Sequence, residues 1–398
     1  MKYIKTRSKK AFRPFVGLAI CLAFLTNACQ QPSDKSQTVQ HAASAGITEF
    51  TPKQVKYAKG FNLKYYDGYK VLELYNPFNT KADTLKYVLH AKGIELPESV
   101  KALPSIEIPV KKIVALSGTH LGMLDLLDAT EQVVGISNKA YVCNEKLLSR
   151  AQNGSVIEAG YDGSINKELV IASGADLVLT IGMNSDSYNR YPVFEKAGIQ
   201  TLAIADWKET SPLGRAEWCK FMAAFLNKEE IANKEMAKIE AEWDRLKVLA
   251  AEATTSPTLI AEVPYKDAWF IPGGQSFMAE LLRAANTNYY WDEDTSTGSL
   301  HLNLEYVYPV ALEADYWINT GTANSKEELV GFDSRFADFK AVNKGLLFNN
   351  NRNIASNGSN AYWETGIVNP HLILADLIKI FHPELMKDHE FVYYKKLK

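Results

Sequence analysis

Two hydrophobic periods alternate along most of this chain. From Lys111 the segment KKIVALSGTHLGMLDLLDATEQVVGISN reads as an apolar strand, a short loop, a helix and a second strand from Val133 to Ile136. Leu121, Leu124 and Leu127, with Leu126 beside them, form the apolar face of that helix. INKELVIASGADLVLTIG adds a short helix and an uninterrupted apolar strand, Leu177 to Ile181, and AGIQTLAIAD adds another strand. Ser211-Pro212 then opens the helix PLGRAEWCKFMAAFL, with proline in its first turn. The pattern resumes at Thr258 with the strand TLIAEV and the Gly-led helix GGQSFMAELLRAANTNYY. A strand from Tyr316 to Asn319, the strand GLLFNN and an amphipathic helix, NPHLILADLIKIFHPEL, complete it. Short, uniformly apolar strands alternating with helices predict parallel sheets covered on both faces.

Between the two stretches runs the longest periodic segment, Lys228 to Ala253. Ala232, Met236, Ile239, Trp243, Leu246 and Ala250 fall at alternating spacings of four and three, and neither Gly nor Pro interrupts them. Asn227 is placed to cap this helix, with Glu230 reaching back to the cap. At 1.5 Å per residue it would span roughly 39 Å. On either side the chain repeats itself: Asn166-Lys167-Glu168 is followed by Ala175-Asp176 and Gly182, and Asn303-Leu304-Glu305 by Ala314-Asp315 and Gly321. Such self-similarity argues for two lobes of one architecture. The fold class read from the pattern is α/β, two lobes with mainly parallel, Rossmann-like sheets bridged by a single long α-helix. The lobes are residues 48–226 and 255–398, with the helix at 227–254. Within the first, residues 48–110 are β-rich, with a turn at Asp67-Gly68, and read as edge strands of that lobe.

The first residues follow a different rule. Lys2, Lys5, Arg7, Lys9, Lys10 and Arg13 precede an apolar run, Phe15 to Leu25, too short to span a bilayer. It ends at Leu25-Thr26-Asn27-Ala28-Cys29, which resembles a bacterial lipoprotein cleavage box. Residues 1–29 therefore read as a lipoprotein signal peptide with Cys29 as the lipid anchor, and the polar residues 30–47 as a tether. Export and lipidation leave Cys143 and Cys219, one in a loop-like and one in a helical stretch, expected as free thiols. A net charge of -2 with no basic stripe argues against nucleic-acid binding. The 20 Tyr and 7 Trp leave an aromatic pocket open.

Three stretches resemble the substrate-binding proteins of ABC importers for iron chelates, haem and cobalamin: IPVKKIVALS from Ile108, Val133-Val134-Gly135-Ile136, and INKELVIASGADLVL. The resemblance implies a non-enzymatic protein without an intrinsic cofactor, a monomer held in the periplasm of a Gram-negative cell by its lipid. It would deliver a ferric siderophore, haem or, alternatively, cobalamin to a membrane permease. It implies that Glu168 and Glu305, one per lobe, meet the two permease subunits. The ligand would lie between the lobes at the carboxyl ends of the strands. By that rule the candidates are Ser117, Thr119 and His120; Asn184, Tyr188 and Arg190; Asp206 and Trp207; Tyr265 and Trp269; and Asn357, Tyr362 and Trp363. Thr119, His120, Tyr188, Arg190, Trp207, Trp269 and Trp363 are the favoured set, with Tyr188 or His120 available as a haem ligand. A bridging helix without a hinge residue predicts modest lobe motion on binding.

Two other classes compete. A secreted lipoprotein hydrolase would need catalytic groups, and the sequence holds no Gly-x-Ser-x-Gly elbow, phosphate loop or His-Glu-x-x-His; Asp292-Glu293-Asp294 reads as a solvated turn. A receptor for a bare metal ion would require His120, His301 and His371 to converge, and none of them has ligand spacing. Between chelates, Arg190 and Arg352 are few cations for an anionic siderophore.

Overall fold

An antiparallel meander opens the described chain. The structure, a computed structural model, describes residues 54–78, 84–161, 163–183, 191–266 and 268–398. The signal peptide, Cys29 and the tether lie outside them. Strands β1 (Phe61–Tyr66) and β2 (Tyr69–Leu74) pair around Asp67-Gly68, with Tyr66 opposite Tyr69 and Gly68 at a left-handed φ of 78°. β3 (Leu85–Ala91) pairs antiparallel with β2, and β4 (Ser105–Ile108) runs parallel to β3. These four strands form a sheet of their own rather than edge strands of the first lobe. Their alternation explains the difference: Phe61, Leu63, Leu72, Leu74, Leu89, Ile106 and Ile108 are buried as one face, which packs on a helix and not on a strand edge.

The first lobe runs β5 (Ile113–Ala115), α1 (Gly118–Leu126), β6 (Val133–Ile136), α2 (Glu145–Gln152), β7 (Ile157–Glu158), α3 (Lys167–Ala172), β8 (Leu177–Thr180), α4 (Pro192–Lys196) and β9 (Gln200–Ala203). All pairings are parallel, in the order β7-β6-β5-β8-β9. Helix α5 (Pro212–Leu226) is buried along its whole length, covered partly by the N-terminal sheet, whose Phe61 ring lies 4.8 Å from Trp218 and 5.6 Å from Phe221. Its buried charges are met locally. Glu217 accepts from the amides of Lys56, Tyr57 and Ala58 and pairs with Lys220, while Glu209, before the helix, accepts from Lys59 and Gly60.

The long helix α6 spans Glu229–Ala250, 22 residues or about 33 Å. Ala232, Met236, Ile239, Trp243, Leu246 and Ala250 are all buried, as their spacing predicts. Its cap is not the expected one. Asn227 ends α5 in a left-handed conformation, φ 53°, and its side chain accepts from Lys70, so Lys228 takes the cap position without a side-chain bond. A helix end immediately upstream had the prior claim on this Asn, which tolerates positive φ better than other non-Gly residues. α6 packs on α5 on one side and on the closing helix of the second lobe on the other.

The second lobe follows: β10 (Thr258–Ala261), β11 (Pro264–Tyr265), β12 (Ala268–Pro272), α7 (Phe277–Ala284), β13 (Asn288–Tyr289), β14 (Ser299–Leu302), α8 (Leu304–Glu313), β15 (Tyr316–Ile318), α9 (Lys326–Phe332), α10 (Lys340–Lys344), β16 (Leu347–Asn349), α11 (Thr365–Val368), α12 (Pro370–Phe381) and β17 (Lys395–Lys396). Its main sheet, β13-β10-β15-β16-β17, is parallel until its last strand, and β11-β12-β14 form a small antiparallel sheet beside it. The repeat seen in the sequence has one structural meaning in both lobes. Asn166 and Asn303 cap α3 and α8, Asp176 and Asp315 accept from the amides at Lys112 and Thr258 beside the central strands, and Gly182 and Gly321 follow the next strands at φ 65° and 64°.

Candidate ligand cleft between the lobes

In each lobe the strand order reverses beside the first strand, and a crevice opens there at the carboxyl ends. In the first lobe the crevice follows β5. Ser117, in extended conformation, caps α1; its hydroxyl lies 3.1 Å from that of Thr119, which donates to Asp206 Oδ1 at 3.1 Å. Asp206 also pairs with the buried Arg215, whose guanidinium lies 4.8 Å from the ring centre of Phe277 in the other lobe. In the second lobe the crevice follows β10 and β15, where Glu262 and Asn319 stand at φ 65° and 55° and Asn319 donates to Glu262 at 2.9 Å.

The facing loops enclose two adjoining cavities. One, of about 490 Å³, is lined by Ser117, Gly118, Thr119 and Tyr141 from the first lobe and by Ser359, Asn360, Trp363 and Glu364 from the second. The other, of about 330 Å³, is lined by Trp207 and Glu209 on one side and by Glu262, Phe270, Phe277, Met278, Tyr362 and Trp363 on the other. Trp363, 55% exposed, belongs to both.

Beyond the cavities the lobes are tied by the loop before α11. Asn357 donates to the carbonyls of Lys139 and Val142, Ser356 donates to Glu145, and Cys143 Sγ lies 3.1 Å from Ser359 Oγ. Glu364, 1% exposed, accepts from the amides of Cys143 at 2.8 Å and Asn144 at 3.1 Å. Burial pushes its carboxyl up to about 7 against those two bonds, and pushes the Cys143 thiol up to about 12. Cys143 and Cys219 are both free.

The strand-end rule brings together Ser117, Thr119, Trp207, Tyr362 and Trp363, with Asp206 just behind Thr119. It misplaces two of the favoured residues. Trp269 is wholly buried in the second lobe, its indole donating to Ala261 O at 3.0 Å and its ring 5.6 Å from Trp317, so it is core and not cleft wall. His120 is also fully buried, with no hydrogen-bond partner for either ring nitrogen among the described residues, and burial pushes its pKa down to about 4. It is a neutral residue on the buried face of α1 rather than a ring presented to a ligand. Tyr265 is exposed on β11 but lines neither cavity. Asn184, Tyr188 and Arg190 lie outside the described residues. Among the described residues no group of three or more His, Cys, Asp or Glu is placed to hold a metal ion; His301 instead packs on Phe270 at 4.6 Å. Glu168 and Glu305 are both exposed in the first turns of α3 and α8.

Two residues in the cleft escaped the reading of the sequence. Glu262 is the single charge closing the apolar run TLIAEV, a signal available to inspection. Glu364, in NAYWETG, had none, since its partners lie more than 200 residues away.

Residues 113–349 match a family model described as periplasmic binding protein. Over 392 residues the chain is 26% identical to an uncharacterized lipoprotein of Methanocaldococcus jannaschii, covering 92% of this chain and 89% of that one. Among solved structures, the nickel–histidine complex of Helicobacter pylori CeuE aligns with a TM-score of 0.53 at 19% identity, covering 71% of this chain and 86% of the other. A periplasmic haem-binding protein from Pseudomonas aeruginosa aligns at 0.52 and 15% identity, covering 73% and 98%.

Proposed function

The chain belongs to the periplasmic binding protein family, and on that premise we propose that it is the capture component of an ABC importer for a metal chelate, a ferric siderophore or haem. The observation that carries the reading is the pair of cavities meeting at Trp363, walled by Trp207, Phe270, Phe277 and Tyr362 and lined also by Thr119, which donates to Asp206 behind it. A chelate presents a broad, partly apolar surface with a few polar edges, and an aromatic cleft with sparse polar groups suits it. The haem and ferric siderophore ligands named for structural relatives are of that class. Thr119, Trp207 and Trp363 are the contact residues in this reading, joined by Tyr188 and Arg190 from the sequence.

Glu168 and Glu305 would dock the two permease subunits, their exposed carboxylates steering association. Cys29 would carry the lipid, in keeping with the lipoprotein relative. As that relative is archaeal, the anchor enters the proposal and the type of envelope does not. The protein acts by stoichiometric binding rather than turnover. Titration of tryptophan fluorescence with haemin, cyanocobalamin and ferric siderophores tests this directly, because Trp207 and Trp363 stand in the cleft. Quenching at micromolar ligand is expected from an iron complex. Cyanocobalamin quenching alone would move the reading to a corrinoid, and no quenching by any of them would end it.

A further inference from the structure

The described walls of the two cavities carry three carboxyl groups, Glu209, Glu262 and Glu364, and neither Lys nor Arg. Two of the three are already engaged: Glu209 accepts from Lys59, Gly60 and the Trp218 indole, and Glu364 from Cys143 and Asn144. Glu262 is different. One oxygen is held by Asn319, and the other takes no hydrogen bond among the described residues.

Its backbone reinforces the point. Glu262 and Asn319 end the neighbouring strands β10 and β15, both in the left-handed region that non-Gly residues seldom occupy. Asn tolerates this region, but at Glu262 such strain costs on the order of 1–3 kcal/mol and persists where surrounding structure enforces it, commonly at ligand sites. The peptide group at Glu262 is held from both sides, its amide donating to Ile318 O at 3.1 Å and its carbonyl accepting from the Trp317 indole at 2.8 Å. The side chain is thereby aimed from the switch point of the sheet into a cavity walled by aromatic rings. Burial without a cationic partner holds the carboxyl up at about 7. A positive group entering the cavity would supply the missing partner. Tyr362, which shares the wall, is buried with its ring edge-on to that of Tyr394.

We propose that Glu262 selects the charge of the ligand, its free oxygen receiving a cationic N–H group of the chelate, an ammonium or guanidinium, against the aromatic wall. The inference rests on the metal-chelate reading above and narrows it: the cleft takes cationic chelates and rejects polyanionic ones. A carboxylate and aromatic faces both favour such a group once water is excluded, and both oppose a polyanion.

The test compares ferrioxamine B, a ferric trihydroxamate with a free ammonium, with its N-acetyl derivative, in which a neutral amide replaces the ammonium. Affinities are read by tryptophan quenching at mildly alkaline pH, with haemin, cyanocobalamin and a ferric tris-catecholate alongside. The wild-type protein should bind ferrioxamine B at least about tenfold more tightly than the acetylated form, as a charge-assisted hydrogen bond would give. Glu262→Gln, which keeps the bond to Asn319, should remove that preference, and Glu262→Asp should retain part of it. Equal binding of the two ferrioxamines, including binding of neither, overturns the inference, as does an unchanged preference in Glu262→Gln. If another chelate binds in those cases, the proposed function stands without it. If no chelate binds at all, the proposed function itself has failed.

Discussion

Asn166 and Asn303 make the same hydrogen bond in the two lobes: each side-chain oxygen accepts from the amide three residues on, Leu169 or Tyr306, at 3.1 Å. The caps fix the first turns of α3 and α8 and so point Glu168 and Glu305 outward. Beside each carboxylate stands an exposed apolar neighbour, Leu169 at 42% and Tyr306 at 72%. A charge next to an exposed apolar side chain is what a docking contact needs, the charge for register and the side chain for affinity. Glu168→Arg with Glu305→Arg should lower uptake in whole cells by at least about tenfold while ligand affinity stays as in the wild type. Loss of affinity, or uptake at the normal rate, would remove the docking role.

The lobes meet most tightly where α1 crosses α11. A Cβ at Gly122 would lie 2.2 Å from the backbone oxygen of Glu364, which no side-chain rotation can relieve. Gly122→Ala should therefore force the two lobes apart locally and cost about 1–3 kcal/mol, seen as a lower Tm. An unchanged Tm would mean that the lobes are not held at this spacing in solution.

The repeat was legible in the sequence because each of its residues does a backbone job: the Asn caps, the Asp accepts from an amide beside the central strand, and the Gly takes positive φ. The stripe on α6 was legible for a similar reason, since burial on one face leaves a period of 3.6. What failed needed information from elsewhere in the chain. The strand-end rule locates a residue along a strand but not its face, so Trp269 satisfies the rule although β12 turns it away from the cleft and toward Trp317. Asn227 suits the end of one helix as well as the start of the next. The Glu364 latch joins the lobes through residues far apart in the chain, and no local pattern records such a pair.

Asp376 holds the C-terminal segment. Its buried carboxylate accepts from the amides of Val392, Tyr393 and Tyr394 at 2.7–3.1 Å and pairs with His389 at 2.7 Å. Asp376→Ala leaves the buried amides of Tyr393 and Tyr394 and the half-buried amide of Val392 unmet and should destabilise the protein by about 3–5 kcal/mol. Because those amides belong to the strap that leads into β17, limited proteolysis should cut near residue 390 before the rest of the chain. Uniform loss of the whole fold, with no early C-terminal cut, would show that the strap is held by its packing instead.

Glu364 gives the latch a pH dependence whose sign follows from its surroundings. Burial raises its carboxyl from 4.5 to about 7, so between those values the folded protein holds a proton that the unfolded chain has released. Its contribution to stability is thus fully present below about 4.5 and is lost as pH rises through 7. His120 acts in the opposite sense, lowered from 6.5 to about 4 and withdrawing stability as pH falls through that range. Glu262, also raised to about 7, acts in the same sense as Glu364, so the raw profile of the wild type mixes several groups. The difference between wild type and Glu364→Gln isolates the latch. Glu364→Gln cannot ionise, so its Tm relative to wild type should rise from pH 5 to pH 8, by a few degrees if the shift acts at about 1.4 kcal/mol per unit. A difference that stayed flat across this range would mean that Cys143 and Asn144 hold the ionised carboxylate without penalty.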